Sequence, residues 1–166
     1  MAERAEVAIG TVYKYFDSKA ALCAEVFRCG TEKEIRRVQS AAYPEIPGVN
    51  CKQRLLNAIA IFSERAIAGH RLAYALIAEP VDPMIELERL SYRRAYADIF
   101  ADLIDEGVNS GEFFEQDTQI SSAALVGVLA ETLLGPIGSS TPDSLDFDQH
   151  ILIQNIQNFC MRAVAK

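Results

Sequence analysis

Tryptophan is absent from the 166 residues, histidine occurs twice and cysteine four times, so few side chains are available for metal or acid–base chemistry. His70 and His150 lie far apart, and neither stands at metal-ligand spacing or beside a nucleophile elbow. His70 follows a glycine, which fits a loop or helix end better than a general base. Cys23, Cys29, Cys51 and Cys160 form no C-x-x-C pair and have no histidine cluster, so the spacing argues against zinc. They read as small core hydrophobes in a reducing cytosol. Glycine-rich phosphate loops, internal repeats and strand signals are also lacking. The most apolar stretch, Ala123 to Gly138, is broken by Glu131 and closes on Gly135-Pro136, which is not the pattern of a membrane span. Charged residues follow Met1 where a secretory leader would be basic and then apolar. No catalytic residue, metal or cofactor is assigned, and an enzyme is not expected.

Positive charge is scarce as well. The net charge is −7, with seven basic and seven acidic residues in 1–50 against nine and sixteen in 51–166. Any grip on an anionic partner must therefore come from a few cations concentrated in the first part. The acidic group Asp98, Asp102, Asp105 and Glu106 alternates with Arg94 at helical spacing and reads as a solvated face in preference to a metal site. Half of the chain is hydrophobic, enough for one or at most two helical units with a proper core.

The most informative residues are Ala8 to Lys19, AIGTVYKYFDSK. A helix-friendly run, Glu3 to Val7, precedes a short break and a second short helix. In that helix Thr11, Lys14 and Tyr15 share one face, and Val12 and Phe16 another. This is a helix-turn-helix pattern. The second helix of such a motif enters the DNA major groove, which calls for small residues early and hydrogen-bonding side chains behind them. Gly10 and Thr11 are the small residues, while Tyr13, Lys14, Tyr15 and Lys19 are candidates for phosphate contacts.

The run Ala5-Glu6-Val7-Ala8-Ile9-Gly10-Thr11-Val12-Tyr13-Lys14-Tyr15-Phe16-Asp17-Ser18-Lys19-Ala20-Ala21-Leu22 resembles the signature of the TetR/AcrR family of bacterial transcriptional regulators, roughly A-x-V-[S/A]-x-G-T-[V/L]-Y-x-Y-F-x-S-K-x-x-L. The resemblance implies that Gly10 and Thr11 meet bases or the adjoining backbone. It further implies that Tyr13 and Lys19 bind phosphates, Tyr15 lies at the groove edge, and Val12 and Phe16 are core. It also places a whole helix and part of the next ahead of Met1, so residues 1–27 are expected to be a truncated DNA-binding unit lacking its first helix. Residues 28–166 are then the ligand-binding and dimerisation domain. The segment Glu106 to Phe113, EGVNSGEF, is similar to a phrase common in the regulatory domains of that family.

Along the rest of the chain the signals are all helical. Asp17 or Ser18 can cap a connector helix from Lys19 to about Tyr43, with Leu22, Val26, Phe27, Ile35 and Val38 turned inward. Asn50 with Gln53 makes an asparagine version of the capping box for a helix that Gly69 ends. A short apolar helix, Leu72 to Ala78, follows. Asp82-Pro83 opens a long helix ended by Gly107 and Gly111, and Asp117-Thr118 opens one closed by Gly135-Pro136. Asp146 or Asp148 starts the last. The fold class is all-α: a partial helix-turn-helix unit followed by a helical bundle.

Two further groups of residues are singled out. Phe62, Tyr74, Tyr92, Tyr96 and Phe100 are either core packing, the simpler reading, or the wall of a cavity for a largely apolar effector. That cavity would lie between the connector and the next three helices. Glu131, a carboxylate in an apolar helix, must be paired, solvated or set against a ligand or second subunit. The small residues around Ala124, Gly127 and Val128, with Ile156 and Phe159, predict close helix approach between two copies. By the resemblance the last two helices form a four-helix bundle across a twofold axis. The expected protein is a cytoplasmic, homodimeric regulator, released from a near-palindromic operator by a small apolar effector. The alternative is a dimeric small-molecule-binding or interaction protein without DNA binding.

Overall fold

The computed structural model describes residues 11, 13–79, 83–138 and 148–166, apart from the side chain of Met84. The expectations that fall on Gly10, Val12, Asp82 and Asp146 lie outside the described residues. Six helices follow one another: α1 Lys19–Ala42, α2 Cys51–Ala68, α3 His70–Ile77, α4 Pro83–Asn109, α5 Thr118–Gly138 and α6 Gln149–Val164. Among the described residues the only β-type pairing is a single antiparallel bridge between Phe113 and Ala165.

The helix starts follow from local chemistry. Ser18 accepts the Ala21 amide at 3.0 Å, Asn50 the Gln53 amide at 2.8 Å and Asp117 the Ile120 amide at 3.0 Å, each satisfying a donor that a helix start leaves open. Asp148 does the same for His150 and Ile151. Only half of the expected box at Asn50 forms, because the Gln53 amide group turns outward to Asn57 at 2.9 Å. Helix α3 starts two residues earlier than expected, with backbone bonds from Leu72 and Ala73 to the Gly69 carbonyl in place of a side-chain cap. Helix α5 runs past Gly135-Pro136 to Gly138. Ile137 is buried in the core, which holds that last turn in place.

The core forms where the inner faces of α2, α4, α5 and α6 meet. Leu55, Ile59, Phe100, Leu103, Ile104, Leu125, Leu129 and Leu133 are all buried there. Burying one such side chain is worth about 1.5–3 kcal/mol. Helix α1 packs on α2 and α4, α3 on α5, and α2 on α6. Val26, expected inside, is exposed, because the part of α1 near Lys19 extends beyond the bundle's packed centre. Cys51 and Cys160 are core residues as expected, but Cys29 is exposed, with its thiol 3.3 Å from a Glu25 carboxylate oxygen. That carboxylate pushes the Cys29 pKa up. Helix α5 is long and apolar enough by composition to cross a membrane, yet Leu125, Val126, Leu129 and Leu133 are spent on the core.

The EGVNSGEF segment ties three elements together. Gly111 takes φ +79°, a conformation glycine adopts without strain. A Cβ on Gly107 would run into the ring of Phe113, so the absence of a side chain there is what lets that ring enter the core. Glu112 then accepts the amides of Cys51 at 3.2 Å and Lys52 at 3.1 Å, capping α2 from far away in sequence. The Phe114 amide donates to the Val164 carbonyl at 3.1 Å, fixing the end of α6.

Candidate functional site

Two regions hold the residues singled out above. The first is the approach to α1. Thr11 is helical and exposed, residues 13–15 form a turn, and Lys14 and Lys19 are exposed. Tyr13 is 61 % and Tyr15 79 % exposed, large fractions for aromatic side chains, so their rings are open to a partner. Phe16 is half-buried. The five described residues proposed for DNA, Thr11, Tyr13, Lys14, Tyr15 and Lys19, therefore all face solvent.

The second region is a cavity of about 840 Å³, its open mouth included, walled by α1, α2, α3 and α4, with Val126 and Ala130 of α5 completing it. Phe62 and Tyr96 meet there edge to face, with centroids 4.9 Å apart and planes at 77°. Tyr92 joins them on the wall. Three of the expected residues lie elsewhere. Phe100 is fully buried in the hydrophobic core and does not line the cavity. Tyr74 packs against the end of α5, near Gly138. Glu131 is exposed on the outer side of α5, which resolves its isolation by solvation.

The cavity also has walls that sequence reasoning missed. Leu72, Leu76 and Ile77 supply apolar surface from α3, and Thr31, Glu34, Arg65, Arg89 and Arg93 bring polar groups. Glu34 and Arg65 form a two-pronged pair at 2.8 and 2.9 Å, and Arg37 joins Glu34 at 2.7 Å. On their own helices these residues look like ordinary surface charges. The only available hint was that Ile35 and Val38 place Glu34 at the edge of the inward face of α1.

Burial pushes the Tyr96 phenol pKa well up, and burial followed by the nearby Glu88 charge pushes Tyr92 up to about 12. Both therefore remain neutral hydroxyls. The Arg65 hydrogen bond holds Glu34 below the usual carboxylate range. Burial works against ionisation of Glu112, but the amides of Lys52 and Cys51 outweigh it and its pKa also falls. A carboxylate whose pKa falls on folding contributes stability that is present above its unfolded value, about 4.3, and lost as pH drops through the folded value. The urea midpoint should therefore be flat near neutrality and fall below about pH 4.3. Glu112→Gln should lower the midpoint at neutral pH and flatten the acid decline. An unchanged acid limb in that variant would rule Glu112 out as a contributor.

The dimerisation residues divide. Ala124 is exposed, Gly127 and Val128 are half-buried, and Phe159 is 60 % exposed. Ile120 and Ile151, not singled out from sequence, are 68 % and 56 % exposed. By helical spacing Ile120, Ala124, Gly127 and Glu131 form one outer stripe on α5, and Ile151 and Phe159 lie along one on α6. Ile156 is only 3 % exposed and belongs to the protomer's own core, so it is not on the outer face. It falls on the side of α6 that Ile153 and Cys160 turn toward the core.

Residues 1–26 match the family model for bacterial regulatory proteins of the tetR family. No curated protein sequence matches the chain. Among solved structures it is similar to the fatty acid degradation regulator FadR from Bacillus halodurans, at TM-score 0.81 and 21 % identity over 96 % of this chain and 81 % of that one. FadR from Bacillus subtilis, in complex with stearoyl-CoA, gives TM-score 0.82 and 21 % identity over 98 % and 85 %. A tetR-family regulatory protein from Rhodococcus RHA1 gives 0.74 and 17 % over 99 % and 83 %. At these identities the likeness is one of fold. The family match is confined to the amino-terminal residues 1–26, and over the rest of the chain the likeness is the all-α fold.

Proposed function

We propose that this chain, a transcriptional regulator of the TetR type by its amino-terminal match and its fold, acts as a homodimeric repressor. A small, largely apolar effector releases it from a near-palindromic operator. One observation carries the reading: α1 begins beside the exposed Tyr13, Lys14, Tyr15 and Lys19 and further along lines the cavity with Thr31, Glu34 and Val38. A single helix thus joins a surface suited to phosphate contact to a wall suited to an apolar ligand. In the dimer two such surfaces would meet successive major grooves about 34 Å apart. The effector must bind the released arrangement more tightly than the DNA-bound one, since equal affinity shifts nothing. Residues 1–27 would be the DNA-reading part and 28–166 the sensing and pairing part, acting in the cytoplasm.

The stearoyl-CoA held by FadR from Bacillus subtilis makes long-chain acyl compounds the first effectors to try. The test is selection of operator sequences from random duplex DNA with the purified chain, followed by competition with such compounds. Enrichment of an inverted repeat, with binding that weakens steeply as salt rises and is lost with effector, is the expected result. An effector-binding chain that enriches no DNA sequence would favour the alternative, a ligand-binding protein without operator recognition.

A further inference from the structure

Three polar atoms on the cavity wall are buried without a hydrogen bond of good geometry: the Thr31 hydroxyl, Arg89 Nε, and the Tyr92 hydroxyl, which has the Glu88 carboxylate nearby but not in hydrogen-bonding alignment. Thr31 is 3 % and Tyr92 9 % exposed, so water access is slight. Native folds satisfy most such groups, and three orphans on the wall of one cavity need an explanation. The rest of Arg89 is well held. Its Nη2 donates to the carbonyls of Ala75 at 2.9 Å and Glu79 at 2.6 Å, and its Nη1 pairs with Glu86 at 3.0 Å. The guanidinium is thereby fixed with Nε left over. Arg89 and Tyr92, three residues apart, share a face of α4, and Thr31 lines the same cavity from α1.

We infer that Thr31, Arg89 and Tyr92 form a polar subsite that takes an uncharged carbonyl oxygen of the effector, while the apolar wall takes the remainder of the molecule. Each of the three can donate a hydrogen bond, and a carbonyl oxygen has two lone pairs, so two donors take one each and the third shares in a three-centre bond. Charge decides against a carboxylate. At the three donors the charge is balanced, with Arg89 matched by Glu86 and the Glu88 carboxylate near Tyr92, while Arg93, which also lines the cavity, is exposed and keeps its charge in water. The ligand class is an apolar ketone, ester or thioester.

This inference rests on the effector cavity of the preceding reading, and the experiment separates the two. The probes are the uncharged dye N-phenyl-1-naphthylamine, 2-nonanone and nonanoate, with the dye reporting cavity binding and the other two displacing it. The variant is Thr31→Val with Tyr92→Phe, which keeps shape and removes both hydroxyls. In the wild type 2-nonanone should displace dye at lower concentration than nonanoate. The double variant should bind 2-nonanone about tenfold more weakly, bind dye equally well, and melt at the same or a higher temperature without ligand. The last outcome is the signature of hydroxyls that serve a ligand, because a structural hydrogen bond would be missed when removed. Unchanged ketone affinity, stronger displacement by nonanoate, or a clear fall in melting temperature would each overturn the subsite. Failure of the wild type to bind the dye or either ligand would overturn the effector cavity itself, and the subsite with it.

Discussion

Replacement of Phe113 by alanine should lower the unfolding free energy by about 3–5 kcal/mol, the range for losing a buried aromatic ring from a packed core. The ring is fully buried, so the whole side chain's transfer free energy is lost and a cavity is left behind. The backbone around it adds to the effect. The Phe113 amide donates to the Gly107 carbonyl at 2.9 Å, and the flanking residues bind the end of α6 through the Phe114 and Lys166 amides. Loss of the ring should loosen the junction of α2, α4 and α6 together, and the urea unfolding midpoint is the measurement. Gly107→Ala should act from the other side by forcing the ring out of place, at a cost of about 1–3 kcal/mol. A loss below about 1 kcal/mol for Phe113→Ala would mean that the segment is not the junction described here.

Gly127→Leu should turn a dimer into a monomer while leaving the protomer folded. The two effects separate because a Cβ at Gly127 meets nothing within 4 Å inside the protomer. Within α5 the change also replaces a weak helix former by a strong one, a gain of about 1 kcal/mol. A loss of dimer with unchanged protomer stability would place the penalty between copies, where a leucine would hold two helices apart. Sedimentation at about 20 µM, where an ordinary homodimer interface is saturated, should show wild-type dimer and variant monomer with the same melting behaviour per protomer. Phe159→Glu should do likewise from α6. If wild type sediments as a monomer, the outer stripes of α5 and α6 are not a homodimer interface. A dimeric variant would place the interface elsewhere.

The helices were legible because their signals are local. Ser18, Asn50, Asp117 and Asp148 each cap the next residues, and helical periodicity identifies Leu55, Ile59 and Leu103 as core without reference to distant parts of the chain. The site was legible only where aromatic residues advertised it, as Phe62, Tyr92 and Tyr96 did. Glu34, Arg65 and Arg89 were not singled out, since their partners lie on other helices or on carbonyls at a helix end. Phe100 was left between core and cavity, and Ile156 was set at the interface between copies, for a related reason. An apolar side chain on a helix has the same pattern whether it faces the core, a cavity or a second subunit, and only packing distinguishes these. The role of Glu112 as a cap for α2, sixty residues away, has no local sign at all.

Helix α1 is unbroken for 24 residues, and this has a mechanical consequence. At 1.5 Å per residue, Thr31 on the cavity wall stands about 18 Å from Lys19 at the helix start. A stiff rod pivoting at Val38, buried in the core, magnifies motion: a tilt of about 5° moves Thr31 by about 0.9 Å and carries the tip at Lys19 sideways by about 2.5 Å, given that rise. That approaches the length of a hydrogen bond's tolerance, so a ligand that merely leans on Thr31 could break several phosphate contacts at once. The chain would then need no relay of side chains between ligand and DNA, because leverage alone would transmit the signal.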